Sequence, residues 1–149
     1  MATNERFMPV PPEAVWDALA DPGNYGYWVV GSKLIRDAEP GWPAPGTKFH
    51  HTIGFGPLKV SDHTVALESE PPRLLKLRAK GRPLMTATVT LELVPWQTGT
   101  LVRISERPDG VFAVLALNPL VHFATKLRNA ESLMRLEELA LRRRARAAA

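Results

Sequence analysis

The sequence predicts an α+β fold, a curved antiparallel sheet of about seven strands around a long C-terminal helix. Three observations predict it. From Gly31 to about Glu106 the chain reads with period two and is cut by short Pro/Gly turns. From about Leu115 to Arg146 it reads with helical period. Between a short extended start and the first of those strands stand two small helical stretches. With 149 residues, 45% of them hydrophobic and 23% charged, the chain has the size and make-up of a single domain, residues 1–149, around one core.

Phe7 to Val10 is the extended start. Pro11 and Pro12 then open EAVWDALA, which has Glu13 in its first turn, Val15, Trp16 and Leu19 at helical spacing, and a stop at Asp21, Pro22 and Gly23. NYGYWVV, Asn24 to Val30, is a second short turn or helix anchored by Trp28. Breakers at Pro40 to Gly46, Gly54 to Pro57, Glu70 to Pro72, Gly81 to Pro83 and Pro95 to Gly99 divide the middle of the chain into about six strands, GSKLIRDAE, TKFHHTIGF, LKVSDHTVALES, RLLKLRAK, PLMTATVTLELV and TLVRISER. Connections this short join antiparallel neighbours into a meander. After Pro108 to Gly110 comes the long helix, interrupted near its start by Asn118 and Pro119. Leu120, Phe123, Leu127, Ala130 and Met134, with Leu133 and Leu136 beside them, form its apolar stripe. That stripe is expected to lie on the dry face of the sheet.

The formal charge of +4 is matched by Arg142, Arg143, Arg144 and Arg146 alone, so residues from about 141 to 149 read as a frayed basic tail rather than a nucleic-acid surface. No aromatic residues are interleaved with them for base stacking. The absence of cysteine excludes disulfides, thiolate metal sites and cysteine nucleophiles. No apolar run has the length of a bilayer span, and the first residues lack the pattern of a signal peptide, so the expected location is the cytoplasm. No cofactor and no metal are expected.

The residues PPEAVWDALADPGNYGYWVVG, WPAPGTKFHHTIGFGPLKVSDHTVALESEPPRLLKLRA, GTLVRISERP and LRNAESLMRLEELA resemble the START/Bet v1-like (SRPBCC) superfamily, and within it the bacterial polyketide cyclase/dehydrase-like branch. The resemblance runs from about Phe7 to Ala140, and its best motifs are the PxxVWxxLxDP helix, the Tyr and Trp after it, and the EPP turn at Glu70 to Pro72. It implies a helix-grip (Bet v1-like) fold with an elongated apolar cavity between sheet and helix. Members bind lipids, sterols or quinones, or cyclise polyketides, so the motifs identify the fold and the reaction must be argued from the site.

Strand parity indicates which residues line such a cavity. Phe49, His51, Ile53 and Phe55 share one face of their strand, with His50 on the other, so the adjacent histidines do not form a metal clamp. Leu75 and Leu77, then Met85, Ala87 and Val89, then Val102, Ile104 and Glu106 continue the inner face, and Trp28, Phe123 and Leu127 close it from the helical side. His63 has ambiguous parity: Leu58 and Val60 imply one register, Val65 and Leu67 the opposite, so a bulge is expected between them. Asp62 is read as solvent-facing or capping a turn, Trp42 as packing on nearby prolines.

Two functions fit these residues. The first is binding of a hydrophobic small molecule, a lipid, quinone, sterol or polyketide-like compound, with no chemistry. The second is a cofactor-free polyketide cyclase, aromatase or dehydratase, with His51 as base and Glu106, a carboxylate on the apolar side, as acid or orienting group. In the plainer reading His51 is a cavity-wall histidine and Glu106 braces the loop before the long helix. The expected partner is the ligand, with neither nucleic acid nor stable membrane insertion, in a monomer or homodimer.

Overall fold

The computed structural model describes residues 1–29, 32–55, 57–81, 85–110, 114 and 117–148, with backbone alone for 32–36, 51–55, 58–61, 81, 85 and 147–148. Its elements are β1 (Ala2–Met8), α1 (Pro12–Ala20), a 3-10 turn (Pro22–Asn24), α2 (Tyr25–Trp28), β2 (Ser32–Ala38), β3 (Lys48–Phe55), β4 (Leu58–Glu70), β5 (Leu74–Gly81), β6 (Met85–Trp96), β7 (Gly99–Pro108) and α3 (Pro119–Ala148). The strands form one antiparallel sheet in the order β1-β7-β6-β5-β4-β3-β2, the helix-grip arrangement.

Register fixes the inner face. Leu75 stands opposite Leu91, Leu77 opposite Val89 and Ala79 opposite Ala87. Leu91 in turn faces Ile104, Leu93 faces Val102 and Val89 faces Glu106. Leu75, Leu91 and Val102 are wholly buried with Met8, Val10, Val15 and Leu19, so one core joins the sheet to α1. Each such leucine or valine withdrawn from water stabilises the fold by about 1.5–3 kcal/mol.

Strand β1 begins five residues earlier than its apolar residues indicate. Ala2, Asn4, Arg6 and Met8 form its inner row, and the two polar members conceal the alternation. Where the chain leaves β1 it crosses the β6–β7 turn at Gly99, and a Cβ there would overlap the carbonyl oxygen of Met8 and lie 3.0 Å from Phe7 Cζ.

The long helix starts at Pro119, four residues later than the periodicity places it. Asn118 caps it, its side-chain oxygen accepting from Leu120 N at 2.9 Å, and proline occupies the first helical position, where no amide is needed. The face presented to the rest of the protein also differs from expectation. Asn129, Ser132, Leu133, Leu136 and Ala140 are buried, whereas Leu120, Phe123, Leu127 and Met134 are exposed. The helix packs chiefly against β1, α1 and α2. Within the described residues α3 continues to Ala148, and Arg143 reaches Asp21 at the end of α1 at 2.5 Å.

Candidate functional site

Two groups of residues face the interior from opposite ends of the sheet. At the β1/β7 end, Glu106 is buried at the inner end of its row, and its partner is Arg128 of α3. Beside them Asn4 donates from Nδ2 to the carbonyl of Lys126 at 3.0 Å, and Arg6 Nε meets Glu137 at 2.5 Å. These contacts tie α3 to the sheet edge. The partner of Glu106 is thus on the helix itself, not on the loop before it.

The other end is aromatic. Tyr25 and Trp28 of α2, Trp42 of the β2–β3 connection and Phe49 of β3 form a cluster in which Tyr25 lies 5.0 Å from Trp28, 6.0 Å from Trp42 and 4.6 Å from Phe49, centroid to centroid. Trp42 meets Phe49 edge-on at 4.7 Å, so rings are among its packing partners. Tilted and edge-on pairs at such distances contribute about 0.5–1.5 kcal/mol each beyond the area they bury. The Tyr25 hydroxyl and the Nε1 atoms of Trp28 and Trp42 are buried with no hydrogen-bond partner. A buried donor left without an acceptor costs about 1–3 kcal/mol. Burial also pushes the Tyr25 phenol well above its ordinary pKa, so it remains protonated.

Next to this cluster, β3 and β4 bring together residues that sequence reasoning kept apart. His51 stands opposite Asp62, and Phe49, two positions earlier on the same face, opposite Thr64. Asp62 is buried, contrary to its solvent-facing reading, and one of its carboxylate oxygens accepts from the His63 amide at 2.9 Å. His63 itself pairs with His50 across the strands, ring centroids 6.1 Å apart, on the other face of the sheet from position 51. The pairing with β3 runs without a shift from Leu58 to Val65, so no bulge separates Val60 from Val65 and His63 shares the outer face with Val65; the register shift falls later, between Ala66 and Glu68 in the pairing with β5. The His63 imidazole has Nδ1 3.4 Å from Asp62 Oδ1. Burial first and Lys80 second pull its pKa below the ordinary 6.5, against the raising effect of Asp62.

Of the residues expected to line a cavity, Trp28, Phe49, Leu75, Leu77, Ala87, Val102, Ile104 and Glu106 are buried and Val89 is half-buried. The side chains of His51, Ile53, Phe55 and Met85 lie outside the described residues; their backbones place Ile53 opposite Val60, Phe55 opposite Leu58 and Met85 opposite Gly81. Phe123 and Leu127 do not close the interior: they are 61% and 57% exposed. Position 51 on β3 and Glu106 on β7 are separated by four strand spacings, about 19 Å measured along the sheet. Sequence reasoning missed Tyr25, Trp42 and Asp62 as interior polar groups. The one available signal for Asp62 was its alternation with Val60, Thr64 and Ala66. Among the described residues no three His, Asp or Glu side chains are grouped so as to hold a metal, and no helix is long and apolar enough to cross a membrane.

Residues 2–140 match the family described as polyketide cyclase/dehydrase and lipid transport. The fold is similar to that of a protein from Nitrosomonas europaea, 19% identical over 94% of this chain and 93% of that one, with a TM-score of 0.69. It is also similar to Ara h 8.0201, at 16% identity over 93% and 95% of the two chains and a TM-score of 0.71. The di-domain ARO/CYC protein StfQ from the steffimycin biosynthetic pathway matches 96% of this chain with 51% of its own, at 10% identity and a TM-score of 0.73. At these identities the likeness is one of fold. No curated protein matches the sequence.

Arg128→Met leaves the Glu106 carboxylate buried without its counter-charge, and because Arg128 is itself one-third exposed the expected loss is about 1–3 kcal/mol in urea unfolding. Adding Glu106→Gln to that variant should recover part of the loss. The His63 imidazole should titrate below 6.5 by NMR, and lower still in Asp62→Asn. Since the folded form binds this proton less readily than the unfolded chain, the stability linked to His63 is fully present above pH 6.5 and is lost as pH falls through the folded-state value.

Proposed function

The chain belongs to the polyketide cyclase/dehydrase and lipid transport family, and from that premise we propose that it binds a hydrophobic small molecule, such as a lipid, quinone, sterol or polyketide-like compound, on the concave face of its sheet. One observation carries this reading. The inner rows of β5 and β6 are fully buried at Leu75 and Leu91 but only half-buried at Ala79 and Val89, while α3 packs against β1, α1 and α2 instead of these strands. An apolar concave surface that the chain leaves partly uncovered is the usual make-up of a small-molecule pocket.

A second reading, cyclase or dehydratase chemistry, is favoured by position 51 standing opposite a buried carboxylate. In it His51 removes an acidic C–H proton, the carbanion closes on a ketone carbon of the same chain, and the imidazolium returns the proton to the oxygen, which departs as water on dehydration; Asp62 orients the imidazole, while Glu106, bonded to Arg128, holds α3. Enclosure of the substrate would set which carbons meet.

Native mass spectrometry and solvent extraction of the purified protein should recover an apolar compound. Val89→Trp, which projects a larger ring from the half-buried end of β6, should reduce its recovery about tenfold with the circular dichroism unchanged; recovery equal to wild type removes the concave face as the binding surface. For the second reading, His51→Ala and Asp62→Asn should each lower turnover of a poly-β-ketone substrate about 100-fold, and unaltered turnover in both rejects it.

A further inference from the structure

The aromatic cluster carries an imbalance that an apolar pocket wall does not need. Tyr25 and Trp28 are each 2% exposed and packed against Trp42 and Phe49, and the polar atom of each of Tyr25, Trp28 and Trp42 is buried without a partner. Two of these atoms are indole N–H groups, which only donate. The third is a phenol that burial keeps protonated, hence also a donor at neutral pH. Three neighbouring donors with no acceptor among the described residues are complementary to one kind of chemistry, an oxygen that only accepts.

Resting on the ligand-binding reading above, we propose that Tyr25, Trp28 and Trp42 form the polar anchor of the pocket and select ligands whose head is an acceptor oxygen, a ketone carbonyl or a carboxylate, at the end of an apolar body. The rings exclude water from that oxygen, and a neutral lining of two donor-only indoles and one phenol, with no anion to pair a cation, discriminates against ligands that end in ammonium or have no polar head. Position 51 and Asp62 lie one inward step further along β3 and β4 from Phe49.

The test uses four chain-matched probes, dodecane, dodecylammonium, 2-tridecanone and dodecanoate. They are titrated into the intact protein by tryptophan fluorescence and by ligand-induced shift of the melting temperature. The ketone or the carboxylate should bind at least about tenfold more tightly than dodecane and dodecylammonium, and Tyr25→Phe should abolish that advantage while leaving dodecane binding unchanged. Ketone preference alone marks a neutral carbonyl as the occupant's head, and carboxylate preference alone marks an acid. Because the Tyr25 hydroxyl has no partner in the free protein, Tyr25→Phe without ligand should melt at the same temperature or higher, an outcome that a purely structural hydroxyl would not give. Trp42→Phe, in a loop, should lower the acceptor preference in the same way and covers the case in which Tyr25→Phe fails to fold. If dodecane binds as tightly as the ketone and the carboxylate, the anchor is wrong and the pocket stands; if none of the four binds, both are wrong.

Discussion

The position of α3 depends on a band of polar contacts at one edge of the sheet, and most of the molecule's form results from that placement. Asn4, Arg6 and Glu106 are inward-facing residues of β1 and β7, and they engage the Lys126 carbonyl, Glu137 and Arg128 of α3. Directional bonds fix the helix over this edge in a way that leucine packing, which is non-directional, does not. The apolar residues Leu133, Leu136 and Ala140 then bury the C-terminal half against the core, and the concave surface further along the sheet is left uncovered by α3.

The two ends of the interior have opposite chemistry. At the α3 edge the carboxylate has its guanidinium, and the pairing serves rigidity. At the α2 end donors are assembled without acceptors, which lowers the stability of the free protein. Such a cost is retained at functional sites and offset by the surrounding core, here the wholly buried leucines and valines under α1.

The architecture was legible in the sequence because period-two strands, Pro/Gly turns and a long helical stretch all indicate the same fold. Inner faces were legible wherever apolar residues alternate cleanly, as from Ala87 to Leu93. They were hidden on β1, where Asn4 and Arg6 occupy inward positions, and around His63, where a bulge reverses parity downstream. The helix misled for another reason. It carries two leucine-bearing stripes, one through Leu120, Phe123, Leu127 and Met134 and one through Leu133, Leu136 and Ala140, and periodicity alone does not say which is covered. What decides is the polar set Lys126, Arg128 and Glu137, whose partners lie on strands more than a hundred positions away or across the loop before the helix. Asp62 was misplaced by its charge, since carboxylates are seldom buried unless paired, and the face it takes is set by its register with β3, which local reading does not see.

The pairing of β1 with β7 also bears on the order in which the molecule is made. Ala2 meets Glu106 and Met8 meets Thr100, so β1 leaves the ribosome about 100 residues ahead of its hydrogen-bonding neighbour. At ordinary synthesis rates that is an interval on the order of 5–20 s in which an open strand edge is carried by the nascent chain. During it the meander β2 to β6 can assemble locally, but the core under α1 cannot close until β7 supplies Val102 and Ile104 and α3 supplies Leu133 and Leu136. The alternating charge of Glu5 and Arg6 and the inward Asn4 keep that waiting strand poor as a template for its neighbours, so the polar residues that later seat the helix protect the chain beforehand.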